Sequence, residues 1–213
     1  MEINRKEICR YLGYRNVVPD ENINALIESC VDEVLKFAVP ASVYKRFSLK
    51  IDGNLIKIEN LEFYSKSLSK NLADCTEVIL FAATLGLEVD RILAKYSKIN
   101  VSRAVVFQST AAAAIEAFCN ECQEKIESEV KKEGLFVRPR FSPGYGDVVL
   151  SIQKDFLNMI KADRTVGIIL TQGDIMIPEK SVTAFMGLSS VDLKCHREGC
   201  EICGKTDCSY RRL

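Results

Sequence analysis

Two stretches of this chain concentrate side chains able to do chemistry. The first is residues 137–147, Val-Arg-Pro-Arg-Phe-Ser-Pro-Gly-Tyr-Gly-Asp. The guanidinium of Arg140 can clamp a carboxylate through two parallel hydrogen bonds. Ser142 adds a hydroxyl, Gly144 lets backbone approach a ligand closely, and Tyr145 offers a flat ring with a polar tip. Pro139, Pro143, Gly144 and Gly146 break regular structure, so the segment reads as a loop. Its composition also suits an ordinary surface turn, and its role depends on what surrounds it. The second stretch is Cys195, Cys200, Cys203 and Cys208, spaced C-x4-C-x2-C-x4-C, with Gly199 and Gly204 permitting tight turns. Four such thiolates can wrap a zinc ion tetrahedrally or hold an iron–sulfur cluster, and His196 can replace one ligand. The spacing does not choose between the two, and free thiols are the plain alternative. Cys119 and Cys122 form another C-x2-C pair, but apolar neighbours at helical spacing mark them as buried helix thiols.

Other chemistries are missing. No G-x-G-x-x-G or Walker sequence occurs, and the single histidine leaves no Ser-His-Asp triad and no His-based zinc hydrolase site. Hard chemistry is therefore left to a bound cofactor or a partner. The 213 residues carry 29 basic and 29 acidic side chains, so no basic excess points to nucleic acid. No signal-peptide pattern opens the sequence. The longest apolar stretch, 104–118, is interrupted by Gln108, Ser109, Thr110 and Glu116, so no membrane span is expected. Nine cysteines in odd number fit reduced thiols or metal ligands in a soluble, cytoplasmic protein.

The elements that must position these residues follow from periodicity. Residues 4–13 predict a short helix ending at Gly13. Asp20 caps a second, in which Ile23, Leu26, Ile27, Cys30, Val31, Val34, Leu35 and Ala38 form one stripe. Residues 43–51 alternate as a half-buried strand, Asp52-Gly53 makes a hairpin turn, and 55–58 returns. Ser65 caps a helix to about residue 72, 76–83 is a buried strand, and 87–96 is a helix. Asn100 caps the longest helix, with Val101, Ala104, Val105, Gln108, Ala111, Ala112, Ile115, Phe118, Cys119, Cys122, Ile126 and Val130 along its predicted face. Beyond the loop come a helix over 151–161, a strand over 166–171 and an extended stretch over 174–188. The mixture predicts an α+β fold with a mainly antiparallel sheet, residues 1–190 as one domain and 191–213 as a Cys-rich tail.

Four segments in order carry a resemblance: Arg10-Tyr11-Leu12-Gly13-Tyr14, residues 108–121 with Glu116-Ala117-Phe118, Arg140-Phe141-Ser142-Pro143-Gly144-Tyr145, and 176–184 with Ser181-Val182-Thr183. Together they resemble the activation (reactivation) domain of cobalamin-dependent methionine synthase, in its stand-alone subunit form. The resemblance implies a curved antiparallel sheet with packed helices and a shallow groove for S-adenosylmethionine. In that groove Arg140 would pair with the ligand carboxylate, the backbone of Ser142 and Gly144 would bond its polar edge, and Tyr145 would line the pocket. It also implies a partner, a cobalamin-bearing methionine synthase or other corrinoid protein, without which the chain is inactive. On that partner, cob(II)alamin is methylated with an electron from a flavodoxin-like donor. After Tyr145 the sequence departs from the family pattern, with Gly146-Asp147 in place of a Pro-rich segment. The cysteine tail stands where a Tyr-rich segment is expected. A different reading makes the chain a metal- or iron–sulfur-binding redox or scaffold protein serving another corrinoid methyltransferase.

Overall fold

The computed structural model describes residues 1–14 and 17–192. Its centre is β4 (Glu77–Thr84), the continuous apolar run, which is buried on both faces. It lies between β1 (Ala41–Asp52) and β8 (Ser181–Ser189), antiparallel to both. The remaining strands are β2 (Leu55–Ile58), β3 (Leu61–Tyr64) and β5 (Phe136–Val137), giving the order β3-β2-β1-β4-β8-β5. β1 changes partner half-way: residues 41–48 pair with β4 and 49–52 with β2. A small hairpin joins β6 (Ile169–Leu170) to β7 (Met176–Ile177).

Helices cover both faces of the sheet, and the alternation of each strand decides which face takes which residue. Ile79, Phe81, Ala83, Ala184, Met186 and Leu188 face one core. That core is closed by α1 (Arg5–Tyr11), α2 (Glu21–Phe37), α4 (Leu87–Ile99) and α5 (Val101–Lys131). Val78, Leu80, Ala82 and Phe185 face the other, under α3 (Lys66–Asn71), α6 (Gln153–Ile160) and α7 (Ala162–Thr165). The expected caps form: Asp20 accepts from Ile23 N, Ser65 from Leu68 N and Asn100 from Arg103 N, at 2.9–3.0 Å. Gly13 ends α1 at φ +86°. Among the described residues no helix is long and apolar enough to cross a membrane.

Four details differ from the sequence reading. β3 and the two-residue β5 were not expected, because so few residues hold too little alternation to stand out; Leu61 and Phe63 nevertheless point inward. The strand expected over 166–171 shrinks to β6, because Gly167 at φ +70° breaks the chain after α7. The stretch 174–188 is two strands separated by a cis Ile177–Pro178 bond. At the start of α5, Val106 and Phe107 are buried while Val101 and Val105 are exposed. A helix packed between the sheet and three other helices buries more than one stripe, and residues 113, 114 and 115 are buried in succession.

Candidate functional site

The loop of residues 138–149 is built on the edge of β8. β5 pairs Phe136 with Ser189 and Val137 with Leu188, and Arg138 N donates to Gly187 O at 2.8 Å. Regular pairing would then set residue 140 opposite 185. Instead Phe141 and Phe185 exchange two bonds, at 3.0 and 2.8 Å. One extra residue is inserted, which is a β-bulge, and bulges re-aim side chains. Phe141 packs into the core under α3 and α6, while Arg140 is directed to α5 on the opposite face.

Arg140 meets three acceptors on α5: Nη1 donates to Gln123 Oε1 at 3.0 Å, and Nη2 to Asn120 Oδ1 at 2.8 Å and Glu116 Oε2 at 3.2 Å. Residues 116, 120 and 123 are spaced four and three apart, so they share one helix face. The Arg140 side chain is 17% exposed and that of Glu116 is 35% exposed. Cys119 lies on the same helix; burial pushes its thiol up to about 12, against the opposing pull of Arg140.

Ser142, Gly144 and Tyr145 form a single turn. Tyr145 N donates to Ser142 O at 3.1 Å, and Gly144 N to Val148 O at 2.9 Å. Gly144 has φ +85°, a conformation that favours glycine. The Tyr145 ring stands out at the tip, 70% exposed. The structure thus brings Ser142, Gly144 and Tyr145 together at the sheet edge, while the guanidinium of Arg140 rests on the α5 side of it.

Two anchors of this loop were not singled out from sequence. Asp147 accepts from Ser65 Oγ at 2.6 Å, Lys66 N at 2.7 Å and Ser67 N at 3.1 Å, closing the start of α3. The Ser65 hydroxyl and these backbone N–H groups hold its carboxyl well below the usual range. Gly146, at φ +57°, lies so close to α3 that a Cβ there would meet Ser67 Cβ and Oγ at 2.9 Å. The second anchor is Gln153, buried at the start of α6, whose Nε2 donates to Thr183 Oγ1 at 2.8 Å. It ties the helix that follows the loop to the Ser181-Val182-Thr183 segment. The aspartate beside a Gly-Tyr-Gly turn was the available signal for the first anchor; nothing in the sequence marked the second.

The candidate metal ligands Cys195, Cys200, Cys203 and Cys208, with His196, lie outside the described residues. Among the described residues no group of three or more His, Cys, Asp or Glu side chains is placed to hold a metal ion. Cys119 and Cys122 are buried on α5, and Cys122 Sγ lies 3.4 Å from Ser42 Oγ.

No family model matches the sequence, and no curated protein matches it. Among solved structures, the chain is similar to a crystal structure of the MetH reactivation domain bound to AdoHcy. The TM-score is 0.65 at 16% identity, over 87% of this chain and 73% of that one. The six-stranded antiparallel sheet with its packed helices is therefore the fold of the MetH reactivation domain.

Proposed function

We propose that this chain binds S-adenosylmethionine and serves as a reactivation subunit for a cobalamin-dependent methionine synthase or a related corrinoid protein. One observation carries the reading. The Arg140-Phe141-Ser142-Pro143-Gly144-Tyr145 loop, singled out by its residue chemistry, is fixed to β8 of a fold shared with a domain crystallised with AdoHcy. AdoHcy is what remains of S-adenosylmethionine after its methyl group is given up. Arg140 supplies the charge for the ligand carboxylate, the Ser142–Gly144 backbone its polar contacts, and Tyr145 a ring at the rim. Cobalamin on the partner supplies the methyl-accepting atom, so this chain needs no nucleophile of its own, and a flavodoxin-like protein supplies the electron. The test is a cob(II)alamin-loaded methionine synthase lacking its own reactivation domain, given S-adenosylmethionine and a reductant. The methylcobalamin spectrum should return only when this chain is added. Return at the same rate without it removes the proposed role.

The tail favours a second reading through its spacing alone: Cys195, Cys200, Cys203 and Cys208 bind zinc or an iron–sulfur cluster, and the chain serves a different corrinoid methyltransferase as a redox or scaffold protein. Anaerobic purification with metal analysis and a visible spectrum separates the two. A colourless, metal-free protein that binds S-adenosylmethionine rules this second reading out.

A further inference from the structure

Half of β1 has an open edge. Leu49 N donates to Thr76 O on the β4 side at 2.9 Å. Bonding alternates along an antiparallel strand, so Phe47, Lys45 and Val43 also turn their backbone groups to β4. Ser42, Tyr44, Arg46 and Ser48 turn theirs the other way. β2 covers that outer edge only from Leu49 onward. Among the described residues no backbone group bonds the outward N–H and C=O of 42–48. Charged side chains commonly guard such an edge, but here the cations are engaged within the chain. Arg46 donates to Glu77 at 2.8 Å and to Glu133 at 2.6 Å, and Lys45 Nζ donates to Met159 O at 3.2 Å. Beside the open stretch Val39 is 66% exposed, and Val43 and Phe47 are half-buried.

We propose that this edge pairs with the same edge of a second copy of the chain, antiparallel, about a two-fold axis at Val43. β2 sets the register. The second copy carries its own β2 opposite its residues 49–52, on the line of the first copy's β1. An axis at Lys45 would lay that copy's Ile58 on Ala41 and set the two Lys45 side chains opposite each other. An axis at Val43 moves the end of that β2 to the level of Phe37, where α2 has left the sheet. Tyr44 of one copy then exchanges backbone bonds with Ser42 of the other, and Arg46 N meets Pro40 O. On the face towards α6, Val43 meets its own copy, Val39 meets Phe47, and Ala41 meets the aliphatic stem of Lys45. The pattern is self-complementary, as a two-fold contact requires. It covers the exposed Val39 and leaves the 138–149 loop, on the far side of the sheet, free.

Sedimentation of the full chain over a range of concentrations, with a reductant present, tests this. Wild type should reach twice the chain mass of 23.9 kDa. Val39→Lys changes an exposed side chain and sets a charge against Phe47 of the other copy. It should raise the dimer dissociation constant about tenfold or more. Cross-linking tests the register. Opposed residues that share no backbone bond have Cα atoms about 4.5 Å apart, within reach of a disulfide. Val43→Cys should therefore give a covalent dimer on mild oxidation, reversed by reductant. Wild type should not, nor should Lys50→Cys, whose outer edge is already taken by β2. Circular dichroism reports whether each variant folds, and the wild-type mass stands without them. A wild type that stays monomeric overturns the proposal. So does a dimer that a folded Val39→Lys leaves unchanged, or one that does not cross-link through position 43.

Discussion

Asp147 is exposed, yet three donors from the start of α3 converge on its carboxylate. Its folded-state pKa is depressed, so its contribution to stability is full above the ordinary aspartate value of about 3.9 and is lost as pH falls through the folded-state value. Asp147→Asn should lower the thermal midpoint at neutral pH, and the gap to wild type should close as pH drops below about 4. A gap independent of pH, measured by thermal melts across that range, contradicts this. The buried thiols behave in the opposite way. Burial pushes Cys30 up to about 11 and Cys119 to about 12, so both stay protonated and unreactive at neutral pH. A thiol reagent followed by peptide mapping should find both unmodified in the native protein and modified after denaturation; native labelling of Cys119 would overturn the burial argument. At this scale residue type alone singled out Arg140, Ser142, Gly144 and Tyr145 as candidates, and the structure sets them in one loop. The partners of Arg140 were not, because Glu116, Asn120 and Gln123 read as the polar face of a helix until the fold sets the loop beside them.

The element that organises the site is β8. Its residues 187–189 take Arg138 and β5, Phe185 takes Phe141 across the bulge, and Thr183 takes Gln153. Gly187 sits where this edge meets the end of α3. A Cβ there would come within 2.6 Å of Cys75 Sγ, 2.7 Å of Leu72 Cδ2 and 3.2 Å of Arg138 Cγ. Leu72 and Arg138 are themselves buried and have little room to yield. Gly187→Ala should destabilise the protein by about 1–3 kcal/mol, the usual range for an overpacked core, and denaturant unfolding would show it. An unchanged midpoint would contradict this overpacking. Elements with several periods of pattern were legible: the stripe of α2, the alternation of β1, the Asp52-Gly53 turn and the apolar run of β4. β3 and β5 were not, since two to four residues carry too little period, and β6 and β7 were legible only as parts of longer extended stretches. The bulge at 138–141 was invisible for a different reason: it exists only relative to the register of β8, some forty-five residues further along the chain.

Across the whole molecule, the loop straddles the edge of a sheet covered on both faces. Arg140 is held by α5 in one helical layer, while Phe141, Gly146 and Asp147 are held by the other. A ligand seated along residues 140–145 would touch a segment fixed to both layers. The fold class was legible from the order of elements, and so was the place of the loop between the long helix and the Ser181-Val182-Thr183 strand. The two-sided anchoring was not, because its α3 half joins residues as distant as Ser65 and Asp147, and its α5 half depends on where the fold sets the loop. The central claim is that this loop holds S-adenosylmethionine through Arg140. Its most direct test is calorimetric titration of S-adenosylmethionine into wild type and Arg140→Ala, with circular dichroism as the control for folding. The wild type should show saturable binding at one site, and the variant should bind about tenfold or more weakly, the cost of one charge-assisted hydrogen-bonded pair. Equal affinities, or no binding to the wild type, would contradict it.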